Sequence, residues 1–145
     1  MKQNKFYSAA IAIILIAFFT TGWVSPTPAH HRTPVTITCP FTFDEGTFPL
    51  FPGTFTLSGA FEASGDATML YGPNFNGIRA HCTITLRDEF GTITIHEECQ
   101  FASNPHKGRW EIVSGEGDYA NLHGNGSLTM SGPDELEEDL VGFIY

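Results

Sequence analysis

From Val35 to the C-terminus, apolar side chains recur at every second residue, and no stretch repeats them at helical spacing. A strand sends successive side chains to opposite faces, so this rhythm predicts a series of half-buried strands. Val35, Ile37, Cys39, Phe41 and Phe43 share one face, and Thr36, Thr38 and Thr42 take the other. Phe55, Leu57, Gly59 and Phe61 alternate in the same way with Thr54, Thr56, Ser58 and Glu62. The prevalence of Thr, Ile, Phe and Val fits a pleated surface packed on one side.

The best-defined unit is a hairpin of residues 78–86 with 92–101. Cys82, Ile84 and Leu86 face inward from one arm, and Ile93, Ile95, Cys99 and Phe101 from the other. Those faces coincide if the loop holds an even number of residues, and Asp88-Glu-Phe-Gly91 supplies four. Trp110 and Ile112, then Leu128 and Met130, then Val141, Phe143 and Tyr145 extend the inward set. Eight such strands, with short turns and no crossover helix, predict an all-β fold. Eight antiparallel strands suffice to close a barrel, whose interior is filled by side chains or holds one small ligand. A two-sheet sandwich uses the same strands.

The segment Gly115-Glu-Gly-Asp-Tyr-Ala-Asn-Leu-His-Gly-Asn-Gly126 favours the barrel. Gly124 and Gly126 fall on the face of Leu128 and Met130, where a missing side chain lets a strand bend as closure demands. The spacing of Gly115, Gly117, Tyr119, Gly124 and Gly126 resembles a segment of the allene oxide cyclase and dirigent-type β-barrel families. Glu116 stands where those families usually place a threonine. The resemblance implies a calycin-like, eight-stranded antiparallel barrel, often self-associating to a homo-oligomer. Its interior would be apolar and admit a small organic molecule. No catalytic residue of either family can be placed on this chain.

The N-terminus reads as an export signal. Lys2 and Lys5 precede the apolar residues 9–19, and Thr27-Pro-Ala29 offers small residues at a cleavage site. We expect a signal peptide over residues 1–29, a loose mature N-terminus over 30–34 and one barrel domain over 35–145. An uncleaved anchor over 6–24 is the alternative. Cleavage would place the protein outside the cytoplasm, secreted or periplasmic. It would also remove two of the seven basic residues and none of the sixteen acidic ones. A domain more acidic than the net charge of -9 repels phosphate backbones and anionic bilayers, so neither nucleic acid nor membrane is an expected partner.

Export permits disulfides, and three cysteines leave one over. Cys82 and Cys99 lie on one face of paired strands, direct neighbours in one register and diagonal in another. We expect a bridge between them; packed thiols are the alternative. Glu97 falls in phase with Ile93, Ile95, Cys99 and Phe101. There its carboxyl would have a raised pKa and could give or take a proton, making it the one candidate catalytic residue. A bulge around His96-Glu-Glu98 would turn it to water instead.

Trp110, Tyr119 and Tyr71 are expected to line or fill the interior as ligand-binding residues. His81, His96 and Glu98 share an outer face, but no fourth ligand completes a metal site and a solvated surface accounts for them. The acids of residues 134–139 read as a solvated connection. No cofactor is implied. Together these features predict an exported barrel that binds a small apolar ligand or serves structurally. The alternative is a cofactor-free isomerase or cyclase in which Glu97 moves protons.

Overall fold

A computed structural model of the protein describes residues 31–43, 46–102, 104–131 and 136–145. The signal read over residues 1–29 lies outside the described residues, as do acids 134 and 135. The chain forms β1 (Thr33–Phe41), β2 (Leu50–Gly59), β3 (Ala63–Tyr71), β4 (Arg79–Arg87), β5 (Gly91–Gln100), β6 (His106–Gly117), β7 (Gly124–Ser131) and β8 (Leu136–Ile144). Each strand pairs antiparallel with the next, and β8 returns to β1 to close the barrel. Closure leaves no sheet edge, which sets this fold apart from the sandwich.

The alternation works as expected over most of the chain. Val35, Ile37, Phe55, Leu57, Ile84, Leu86, Ile93, Ile95, Leu128 and Met130 all point into the barrel and are fully buried. The β4–β5 register pairs Arg87 with Thr92 and leaves a four-residue loop. Asp88 shapes that loop by accepting from the Phe90 and Gly91 amides at 2.8 and 3.0 Å, an Asx turn.

Two assignments are corrected. Phe43 lies beyond the end of β1 and is exposed. In β8 the inward residues are Glu138, Leu140 and Ile144, while Val141, Phe143 and Tyr145 face out. The pairing of Leu128 with Leu140, and of Ile37 with Leu140, fixes that phase from both neighbours. The bulge also sits elsewhere than expected. It lies where Thr94 pairs with Ser114 but Ile95 pairs with Ile112, leaving Val113 extra on β6.

The two barrel ends differ. At one, Tyr119 stacks on Phe61 with ring centroids 5.8 Å apart, and its hydroxyl donates to Asp88 at 2.6 Å. Gly117 makes the turn beneath it with φ of 66°, a conformation that side chains disfavour. At the other end, the connections after β1, β3 and β5 gather a group of aromatic rings.

Candidate functional site

Glu97 of β5 and Glu138 of β8 point into the barrel near its aromatic end, 2 % and 0 % exposed. Both follow from strand phase. Glu97 lies two residues from Ile95 and Cys99, and Glu138 two residues from Leu136 and Leu140. Cross-strand pairing sets Glu97 between Cys82 and Trp110 and Glu138 between Cys39 and Met130. All four carboxyl oxygens are buried, and none has a hydrogen-bond partner outside the pair. Two carboxylates cannot donate to each other, whereas a proton on one makes it a donor to the other.

Burial pushes the Glu97 carboxyl well above the ordinary range, and the neighbouring Glu138 adds to the effect. Burial likewise pushes Glu138 up to about 8, against the opposing pull of a hydrogen bond from Glu97. The pair therefore retains protons at neutral pH, as two like charges held in an apolar space must.

The groups around the pair are weak acids or neutral. Cys39, Cys82 and Cys99 are all buried free thiols. Burial, reinforced by the two glutamates, drives each thiol upward, Cys99 to about 12. Such thiols are poor nucleophiles. The expected Cys82–Cys99 bridge is absent, and register explains why. Cys82 faces Glu97 and Cys99 faces Ala80, so the cysteines are diagonal, and diagonal pairs stand too far apart for a disulfide.

The expected ligand-binding aromatics do not form one group. Trp110 is buried beside Glu97, with its Nε1 donating to the Ser127 carbonyl at 3.1 Å. Tyr119 closes the opposite end. Tyr71 opens onto the carboxyl pair, because it pairs with Cys82, which in turn pairs with Glu97. Around Tyr71 stand Phe51, Phe101, Phe75 and Phe48, at centroid distances of 5.4, 6.5, 6.0 and 6.5 Å. Phe48 and Phe75 are exposed. His106 rests against Phe101, centroids 4.8 Å apart. This aromatic cluster covers the barrel end nearest the two carboxyls, and we call it the aromatic mouth.

The four glycines of the motif all meet close neighbours. A side chain on Gly115 would strike the Tyr119 carbonyl, and one on Gly117 the Phe90 carbonyl. Gly124 packs on Ile144, with its would-be Cβ 2.8 Å from a methyl. Gly126 and Gly142 leave room for the Trp110 indole, which would lie 2.8 Å from a Cβ on either.

On the outer wall, His81, His96, Glu98, Arg109, Glu111 and Asn125 line an open groove of about 570 Å³. His81 and His96 lie with ring centroids 6.2 Å apart. Glu98 is committed to Arg109, accepting from its Nε at 2.9 Å, and that guanidinium holds the carboxyl below its usual range. Among the described residues no three His, Cys, Asp or Glu converge on a metal position.

Glu138 escaped the sequence reading because the acids around it suggested a solvated loop. The apolar residues two positions to either side of it gave no decisive signal, because the opposite face of β8 is equally apolar. A family model described as a protein of unknown function (DUF3224) matches residues 51–140, more than half of the chain, and the chain belongs to that family. The match spans both carboxyls and the glycine segment. No curated protein matches the chain.

Proposed function

We propose that this member of the DUF3224 family is an exported binding barrel. In this reading it takes a small, largely apolar molecule through the aromatic mouth and holds a polar end of that molecule against Glu97 and Glu138. One observation carries the reading: two buried carboxyls with no hydrogen-bond partner outside their own pair lie beneath a partly exposed aromatic cluster. Unpaired buried polar groups cost stability, and sites retained at such cost are where ligands bind or react. The likeness of the glycine segment to the allene oxide cyclase and dirigent barrels supports a ligand-admitting interior, and with it self-association.

Binding is tested by titrating the purified protein with small aromatic and aliphatic compounds while following Trp110 emission and melting temperature. Trp110 adjoins Glu97, so an occupant at the pair perturbs its fluorescence saturably. Compounds that leave both signals unchanged across the series would reduce the protein to a structural barrel. Export rests on the leader over residues 1–29, and the N-terminal sequence of protein recovered outside the cytoplasm tests it.

The pair also favours a second reading, a cofactor-free isomerase. One protonated and one ionised carboxyl can supply an acid and a base to the same molecule. Unchanged turnover of an identified substrate after Glu97→Gln would eliminate it.

A further inference from the structure

The chemistry around Glu97 and Glu138 points to the charge of the bound molecule. Counted strand by strand, the pair is faced by Cys39 of β1, Tyr71 at the end of β3, Cys82 of β4, Cys99 of β5, Trp110 of β6 and Met130 of β7. None of these supplies positive charge. His106, at the start of β6, is held against Phe101 at the rim. Outside the barrel at this end, Asp139 accepts from Thr38 at 2.7 Å, and Glu137 beside it is exposed. The aromatic rings of Phe48, Phe51, Phe75 and Tyr71 cluster at this end of the barrel.

We propose that the barrel binds a protonated primary amine with an apolar body, its ammonium seated between Glu97 and Glu138. The proposal rests on the binding reading above and assigns its ligand class. An ammonium brings three donors and no acceptor, matching oxygens that can only accept once ionised. Aromatic faces attract a cation on its way in. A carboxylate ligand would add a third acid to two that already repel each other. An alcohol brings one donor and no charge, so it cannot take the place of the protons the pair holds. Seating the ammonium removes the reason for the pair to hold protons, so binding releases at least one carboxyl proton to the buffer.

Three matched probes test this on the purified protein: 2-phenylethylamine, 2-phenylethanol and phenylacetate. Calorimetry in two buffers of different ionisation enthalpy should report proton release with the amine alone. The amine should bind at least about tenfold more tightly than the alcohol, the size of a charge-assisted hydrogen bond. Glu97→Gln and Glu138→Gln should each remove that advantage and abolish the amine-linked proton release. Should either variant fail to fold, the wild type still decides. Its amine affinity should rise from pH 6 to pH 8 as the pair gives up protons, while the amine stays charged. Phenylacetate or phenylethanol binding as tightly as the amine, or an amine affinity indifferent to pH, would overturn the assignment and leave a binding barrel for other ligands. If none of the three binds, the binding reading falls and this one with it.

Discussion

Single residues carry two separate functions in this barrel, sealing it and charging it. Gly126 lies against the Val141 carbonyl on one side and the Trp110 indole on the other. Gly126→Ala forces a methyl into backbone that has no room to yield, so overpacking should cost about 1–3 kcal/mol or more. Chemical denaturation should show it, with Trp110 emission shifted in the folded state. Tyr119→Phe is milder, because the ring still stacks on Phe61 and only the bond to Asp88 is lost. Asp88 is only partly buried, so about 1 kcal/mol is expected, a drop of a few degrees in melting temperature. Gly124 and Gly126 could be singled out from sequence because their phase with Leu128 and Met130 marked an inner face, and Gly115 and Gly117 through the spacing of the segment. Glu97 was equally visible by phase. Its partner was hidden, because adjacent acids made residues 134–139 look like a loop, and composition outweighed periodicity there.

At the scale of strands, register decides which inward residues meet. Phase alone put Cys82 and Cys99 on one face, yet a disulfide needs direct opposition, and a shift of two residues separates opposition from a diagonal. The four-residue loop closed by Asp88 selects the diagonal. All three cysteines should therefore be unreactive toward a thiol reagent in the folded protein and titrate fully in denaturant. Reducing agent should leave the melting temperature unchanged. A melting temperature that drops under reduction would mean that a bridge forms and that the β4–β5 register differs. The final strand teaches the same lesson in reverse. Its two faces carry Leu136, Leu140 and Ile144 or Val141, Phe143 and Tyr145, and both sets are apolar. No periodicity argument separates them. Only β8's pairing with β1 and β7 does, and that choice delivers Glu138 to the interior.

For the whole molecule, a barrel with two acids sealed in its wall ties stability to pH with an uncommon sign. Most folded carboxyls sit below their unfolded pKa and lend stability that is lost as acid is added, as Asp88 does here. Partial burial raises Asp88, but bonds from Tyr119 and from the Phe90 and Gly91 amides outweigh it and hold the group low. Glu97 and Glu138 are displaced upward instead. Below about pH 4.5 both the folded and unfolded chains keep these protons, and the pair is neutral in the balance. Between there and about 8, where Glu138 titrates, the unfolded chain has released protons that the fold retains. Stability then falls with rising pH by roughly 1.4 kcal/mol per pH unit for each proton retained. Melting temperature should accordingly decline from pH 5 to pH 8, and the double variant Glu97→Gln with Glu138→Gln should remove most of that decline. At pH 8 the variant should be the more stable protein, because it buries amides where the wild type must bury acids against their tendency to ionise. A wild-type melting temperature that rises across this range would place the carboxyls in contact with water. The closed, apolar interior on which the binding reading depends would then be lost.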